Sequence, residues 1–164
     1  MNDTELTISR RLAAPRAAVW AAWEEPRRLE EWFCPKPWRA EVRTFDLRPG
    51  GAFGTVMHGP GGELHDEGEG CFVDVVPGER IVFTSVLGPG WRPRLGSGEG
   101  CDLPMTAIIT MQDDGDGTLY TGRVLHATAE DCRKHAEMGF ESGWGAAIRQ
   151  LEEVARRLAG EASP

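Results

Sequence analysis

The stretch that decides the fold is ATAEDCRKHAEMGFESGWGAAIRQLEEVARRLAG, residues 127–160 of a 164-residue chain. Thr128 is a candidate N-cap, and Gly160 is a candidate stop signal. The pattern predicts one continuous helix of about thirty residues, roughly 45 Å long, which is long enough to cross a whole sheet. Its apolar positions recur every three or four residues, as on one face of a helix, at Phe140, Trp144, Ile148, Leu151, Ala155 and Leu158.

Glycines interrupt this helical pattern at a regular interval. Gly139 and Gly143 are four residues apart, and Gly145 follows closely. Each weakens a helix by about 1 kcal/mol relative to alanine, and on a continuous helix the first two lie beside the apolar stripe. Two interpretations remain open. Either the backbone of a sheet approaches the helix closely there, or the missing side chains leave room for a ligand.

The chain before this helix carries strand patterns in series. A strand candidate at residues 6–12 precedes two short helices, which begin near Pro15 and Pro26. Short strands joined by Gly- and Pro-rich turns form antiparallel sheets, and the C-terminal helix is long enough to cover the apolar face of such a sheet. The order predicts a single α+β domain at residues 1–160 and a frayed tail at residues 161–164. The six further strand candidates are residues 40–47, 52–58, 68–76, 80–87, 105–112 and 118–127.

Composition narrows the function classes. The net charge of −8 argues against nucleic acid and anionic membrane surfaces as partners. We expect a cytoplasmic protein without membrane insertion, because MNDTELTIS at the start does not resemble a signal peptide and no apolar run approaches a membrane span. Cys34, Cys71, Cys101 and Cys132 are about thirty residues apart, which favours reduced thiols over a metal site. We therefore expect no metal and no cofactor.

A set of segments in a fixed order resembles the family of activator of heat-shock protein 90 ATPase homologue-like proteins. This family belongs to the START/SRPBCC superfamily, which also contains pollen-allergen-like proteins and aromatic polyketide cyclases. The resemblance covers residues 6–158, while CPKPW at 34–38 and RLGSGEGC at 94–101 depart from the family pattern. The segments that carry it are APRAAVWAAWEEPRRLEEWF (14–33), DLRPGG (46–51), VPGERIVFT (76–84), GWRP (90–93) and HATAEDCRKHAEMGFESGW (126–144).

The resemblance implies a helix-grip fold, in which a seven-stranded antiparallel sheet wraps around a long C-terminal helix, with two short helices after the first strand. It also implies an apolar cavity between sheet and helix, opening near the short helices and a mobile loop. The loop candidate is GPGWRPRLGSGEGCDLP, residues 88–104, whose length and composition are typical of functional or disordered loops. The chaperone-activating member carries a separate chaperone-binding region, which we do not expect in this chain.

Candidate ligand contacts follow from strand alternation and from the tryptophans. Tyr120, Gly122, Val124 and His126 share one strand face. If this face looks toward the helix, Tyr120 and His126 either orient a ligand in an apolar chamber or bond to local backbone groups. The candidate ligand-binding residues are Trp32, Trp91, Ile109, Tyr120, Val124, His126, Phe140, Gly143 and Trp144.

Two other tryptophans are predicted to lie in the core, and three histidines are predicted to lie on the surface. Trp20 and Trp23 lie at helical spacing and are predicted core residues. His58, His65 and His135 are predicted surface residues, since the sequence indicates no partner for them.

The leading hypothesis is a binding protein for a small apolar or aromatic molecule. A cyclase- or hydrolase-like enzyme that uses the same cavity is the alternative, and no catalytic residue is assigned because no nucleophile elbow, P-loop, H-E-x-x-H or dinucleotide motif is present. A third hypothesis is a protein–protein role, as a chaperone modulator or a homodimer.

Overall fold

The structure, a computed structural model, describes residues 3–94 and 103–162. It contains a curled antiparallel sheet and four α-helices. The strands are β1 (Glu5–Leu12), β2 (Arg39–Phe45), β3 (Ala52–His58), β4 (Leu64–Val76), β5 (Arg80–Thr84), β6 (Leu87–Gly88), β7 (Arg92–Pro93), β8 (Thr106–Asp114) and β9 (Gly117–Leu125). The α-helices are α1 (Arg16–Glu24), α2 (Pro26–Leu29), α3 (Ala129–Glu137) and α4 (Phe140–Ala162).

The main sheet has seven strands in the order β1-β9-β8-β5-β4-β3-β2, and every neighbouring pair is antiparallel. Sequential hairpins build most of it, and the first strand closes the far edge by pairing with β9. This arrangement confirms the predicted helix-grip fold. The strand predicted at residues 80–87 ends earlier, at Thr84, and Leu87–Gly88 instead pairs with Arg92–Pro93 in a separate two-stranded sheet.

The C-terminal segment forms two helices, so the prediction of one continuous helix is wrong. The break lies at Gly139, whose φ of 92° is left-handed and therefore suits glycine. Thr128 caps α3 as predicted, because its side chain accepts a hydrogen bond from the Asp131 backbone N–H at 3.0 Å. The helix α4 alone has 23 residues and a length of about 35 Å.

The end of α4 also differs from the prediction. The helix passes Gly160 and continues to Ala162, so residues 161–162 are helical rather than part of a frayed tail. Residues 163–164 lie outside the described part of the chain.

The core lies where α1 and α4 pack against the concave face of the sheet. Ile148, Leu151 and Ala155 of α4 are buried there. Trp23 of α1 is 1% exposed and contacts a cluster of aromatic rings, which confirms its predicted core position. Trp20 is only partly buried, and its indole N–H donates to the Glu24 carboxylate at 3.1 Å.

The Gly- and Pro-rich loop is described at its two ends. Trp91 belongs to a short 3-10 turn, Pro89–Trp91, and residues 95–102, which include Cys101 and most of RLGSGEGC, lie outside the described part of the chain. Cys34, Cys71 and Cys132 are buried free thiols. Within residues 3–94 and 103–162, no helix is both long enough and apolar enough to cross a membrane.

Candidate ligand-binding site

A cavity of about 370 Å³ lies between the sheet and the C-terminal helices. Its volume falls within the range of small-molecule sites, roughly 300–1,000 Å³. The segment after α1 and the sheet supply one wall, including Trp32, Phe33, Met57, Phe83, Ile109 and Tyr120. The helices α3 and α4, together with Met138 from the two-residue connection between them, supply the opposite wall. Its other lining residues include His135, Gly143, Trp144, Ala147 and Ile148.

Gly143 leaves space on the helical wall of the cavity. A Cβ atom built on Gly143 meets no atom within 4 Å, and the residue lines the cavity. The helix α4 therefore has no side chain at the position where it faces the sheet across the cavity. At this position, the interpretation that glycine leaves room fits the structure, whereas Gly139 is a break between helices and not part of a helical face.

Close approach between helix and sheet occurs instead at a glycine of the sheet. A Cβ atom on Gly122 of β9 would lie 2.9 Å from Cζ3 of Trp144, so glycine permits the indole to lie against the strand. The two interpretations of the glycines thus apply to different positions. Gly122 lets Trp144 form part of the wall, and Gly143 keeps the neighbouring space open.

Tyr120 is a polar group on the sheet wall. Its side chain is 2% exposed, and its hydroxyl oxygen accepts a hydrogen bond from the Trp23 indole N–H at 3.0 Å. Burial raises the pKa of the Tyr120 phenol, so the hydroxyl keeps its proton at neutral pH. Because that hydrogen is not used in the bond to Trp23, Tyr120 is able to donate it to a ligand in the cavity.

Two buried histidines lie next to each other at the helical wall. His135 lines the cavity, and His126 lies beside it outside the lining. His126, just after β9, is 8% exposed, and His135 of α3 is 9% exposed. Their rings are joined by a hydrogen bond of 2.9 Å between His126 Nε2 and His135 Nδ1. The predicted surface position of His135 is therefore wrong. Burial and the nearby His126 lower the pKa of His135 to about 4, so its ring is neutral at physiological pH.

The cavity runs from buried aromatic residues to an exposed rim. Trp32 is 3% exposed at the inner end, whereas Met138 is 63% exposed. Lys134 is also exposed, and His65 of β4 and Leu103 complete this side of the lining. The gradient gives an apolar interior with a cationic group near its opening, as in sites that bury the apolar body of a ligand.

The predicted contact residues divide into two groups. Trp32, Ile109, Tyr120, Gly143 and Trp144 all line the cavity, so the fold brings them together.

Four other candidates lie outside the lining. Val124 is fully buried in the core, and Phe140 packs beside the wall, with its ring centroid 5.2 Å from those of both His135 and Trp144. His126 reaches the cavity through its bond to His135. Trp91 is 51% exposed and covers Gly50 instead.

Sequence reasoning missed His135, Met57 and Phe83 as lining residues. A signal for His135 was present. His135 lies three residues after Cys132 in a helix capped at Thr128, so the two side chains share one helical face. In the structure both side chains are buried. Met57 and Phe83 carry no comparable signal, because each is one apolar residue among many in its strand.

Two other depressions are poorer candidates. A groove of about 380 Å³ beside α2 and α4 is bordered mainly by charged residues, including the ion pair of Arg157 with Glu31 at 2.7 Å. A smaller recess of about 90 Å³ shares Phe33, Phe83 and Met105 with the main cavity and extends it toward Arg94. In the described residues no group of three or more metal-ligating side chains is placed to hold a metal ion.

This architecture agrees with known proteins. The model of the activator of Hsp90 ATPase homolog 1-like protein family matches residues 13–156. The chain belongs to this family. The match confirms the resemblance seen in the sequence, and it spans the cavity residues from Trp32 to Ile148.

Structures similar to this family member come from several bacteria. An X-ray structure of a protein from Nitrosomonas europaea is 39% identical, with a TM-score of 0.88 over 99% of each chain. A protein from Mycobacterium smegmatis is 29% identical, with a TM-score of 0.75 over 93% of this chain and 90% of that one. A protein from Arthrobacter aurescens is 26% identical, with a TM-score of 0.79 over 94% and 87%. No curated protein matches the chain.

Proposed function

We propose that this protein binds a small apolar or aromatic molecule in the cavity between the sheet and α4. The observation that carries the proposal is the cavity itself, about 370 Å³ in volume and walled mostly by aromatic and aliphatic side chains. Ligand sites combine such walls with a few polar groups that orient the ligand. Tyr120 and His135 supply those groups here.

The energetic argument supports the same proposal. A dry void of this volume would cost about 9 kcal/mol at 24 cal/mol per Å³, which is comparable to the whole stability of a domain. Because this cavity opens to water at its rim, that value is an upper limit on the cost of leaving it without a ligand. Natural cores pack to crystal-like density. The glycine at position 143 keeps the space open where alanine would favour the helix, so the sequence retains a feature that reduces stability.

The test uses prodan, a neutral fluorescent naphthalene ketone whose emission changes in apolar surroundings. We expect saturable binding to the wild-type protein. Gly143→Phe places a ring in the cavity, and we expect it to raise the Kd for prodan at least tenfold, equivalent to about 1.4 kcal/mol.

Gly160→Phe is the matched control for this variant. Gly160 also lies in α4 with no atom within 4 Å of a built Cβ, but it does not line the cavity, so binding should be retained. Circular dichroism verifies that both variants fold. Equal affinities in the two variants, or no saturable binding to the wild type, would contradict the proposal.

The other hypotheses remain predictions. The raised pKa of Tyr120 keeps its hydroxyl protonated, which suits a hydrogen-bond donor better than a general base. A cyclase- or hydrolase-like activity is tested by turnover of any ligand found. Chaperone modulation and dimer formation are tested by ATPase stimulation and by solution mass.

A further inference from the structure

Two hydrogen bonds of the ring nitrogens fix the positions of the protons on the buried histidine pair. The carbonyl oxygen of Thr4 accepts from the backbone N–H of His126 at 2.8 Å and lies 3.1 Å from His126 Nδ1. A carbonyl oxygen can only accept, so Nδ1 of His126 carries a hydrogen. In a neutral ring, Nε2 of His126 is then an acceptor, and Nδ1 of His135, 2.9 Å away, must be the donor.

The surroundings of the two rings offer no counterion for a positive charge. Both rings are more than nine-tenths buried, and a buried cation is costly unless an anion pairs with it. No carboxylate of the described residues hydrogen-bonds to either ring. The groups around His135 are the His126 ring, the Phe140 ring at 5.2 Å and, on the same helix, the cation Lys134. None of them is an anion that could pair with a positive charge on His135.

The remaining nitrogen of His135 is an acceptor without a donor. With the hydrogen on Nδ1, Nε2 carries a lone pair, and no described residue donates a hydrogen bond to it. His135 lines the cavity and is 9% exposed. Nε2 is accessible from the cavity, because it is not among the buried side-chain polar atoms that lack a partner in the described residues. A ligand without a donor would displace water from this nitrogen and leave it unpaired, whereas a ligand hydroxyl pairs with it.

We propose that His135 Nε2 accepts a hydrogen bond from a hydroxyl group of the ligand. The cavity then prefers neutral apolar molecules that carry a hydroxyl over molecules of similar size that lack a hydrogen-bond donor. His126 is a positioning residue, because it holds His135 in the tautomer that presents a lone pair. This inference rests on the proposed function, that the cavity binds a small apolar molecule.

A competition experiment tests the preference. Prodan carries no hydrogen-bond donor, so it reports occupancy of the cavity without using His135. Naphthol and its methyl ether are nearly the same size, and the ether is the more apolar of the two. We expect naphthol to displace prodan at a concentration at least tenfold lower than the ether, against the order that hydrophobicity alone predicts.

Variants locate the source of the preference. His135→Phe should remove the advantage of naphthol while prodan still binds. His58→Phe is the matched control, because His58 bonds to Glu41 at 2.7 Å on another part of the sheet and does not line the cavity. It should leave the advantage unchanged.

Nitrogen NMR of the wild-type protein keeps the test independent of how the variants fold. We expect the resonance of an unprotonated nitrogen at Nε2 of His135, and we expect it to shift on addition of naphthol but not of the ether. His126→Phe should replace that single tautomer by a mixture and weaken naphthol binding.

The outcomes separate the two proposals. Three results would overturn this inference and leave the proposed function intact. They are equal displacement of prodan by both compounds, displacement by neither compound while prodan binds, and a hydrogen on Nε2 of His135. Failure of prodan itself to bind overturns both.

Discussion

At the scale of single residues, three positions determine what the cavity presents to a ligand. Gly143 supplies empty space, Tyr120 supplies a hydroxyl whose proton is available, and His135 supplies a nitrogen lone pair. The two polar groups are each held by a neighbour: the Trp23 indole N–H donates to the Tyr120 hydroxyl, and the His126 ring is hydrogen-bonded to the His135 ring. The polar character of the cavity thus depends on pairs of residues, and each pair makes a measurable prediction.

The first prediction concerns Tyr120→Phe. The substitution leaves the buried Trp23 indole N–H without its acceptor, so we expect a loss of about 1–3 kcal/mol in the free energy of unfolding. Urea denaturation measures this loss. A double-mutant cycle with Trp23→Phe should give a coupling energy of about 0.5–3 kcal/mol, and strictly additive losses would contradict the role of the bond.

The second prediction concerns pH. The pKa of His135 is about 4 in the folded protein and 6.5 in the unfolded chain, so the unfolded state binds more protons between these values. Stability contributed by the neutral ring is therefore complete above pH 6.5 and is lost as the pH falls toward 4, by at most about 3 kcal/mol.

The variant His135→Phe isolates this contribution from that of other groups that titrate in the same range. Urea unfolding of both proteins across this pH range should show a smaller loss for the variant. Parallel curves would contradict the assignment.

At the scale of elements, the break between α3 and α4 decides the shape of the helical wall. Gly139 turns the chain with a left-handed backbone, which allows α3 to place Cys132 and His135 against the body of the protein. The exposed Met138 lies directly before that turn, and the cavity-facing Gly143 lies four residues after it. The two glycines, four residues apart, therefore have opposite structural roles.

Alanine at these two glycines should change stability in opposite directions. Gly139→Ala forces a Cβ into a left-handed conformation, with Ser142 Oγ 3.2 Å away, and should destabilise the protein by about 1–2 kcal/mol. Gly143→Ala improves a helix interior without a clash and should stabilise it by about 0.5–1 kcal/mol. Thermal or urea unfolding of the two variants is the measurement, and a shift of the same sign in both would contradict the assigned roles.

At the scale of the whole molecule, the curled sheet and the two C-terminal helices enclose a space that the protein does not fill. The sheet curls because seven antiparallel strands twist, and β1 pairs with β9 at the edge that lies nearest α3. A ligand that enters this space binds the folded state and not the unfolded chain. Binding and stability are therefore linked across the whole domain.

The linkage gives the fourth prediction. At a free prodan concentration of one hundred times its Kd, the free energy of unfolding should rise by about 2.7 kcal/mol in the wild-type protein. Gly143→Phe, whose Kd is expected to be at least tenfold higher, should show a rise of no more than about 1.4 kcal/mol at the same concentration, whereas Gly160→Phe should behave as the wild type. Chemical denaturation with and without prodan measures the difference. A similar rise in all three proteins would place the dye elsewhere.

Much of the architecture could be predicted from local patterns. Alternating apolar residues between turns identified the strands of the sheet, Thr128 was recognised as a cap, and Tyr120 and Ile109 were assigned to cavity-facing positions that the structure shows as lining. The kink at Gly139 was not predicted, because a glycine inside a helix and a left-handed glycine between two helices have the same sequence pattern. The exposed position of Trp91 was not predicted either, because its ring lies against Gly50, which is distant in the sequence.

The sequence by itself determined the order of the main strands and their antiparallel arrangement, because these depend on periodicities within ten or twenty residues. Its ordered segments also carried the resemblance to the family. The tertiary structure alone decided how large the cavity is and which polar atoms reach it. The carbonyl of Thr4 and the ring of His126 are separated by 122 positions in the chain, yet their hydrogen bond sets the tautomer of His135. Such contacts exist only after the sheet has closed, so no local pattern encodes them.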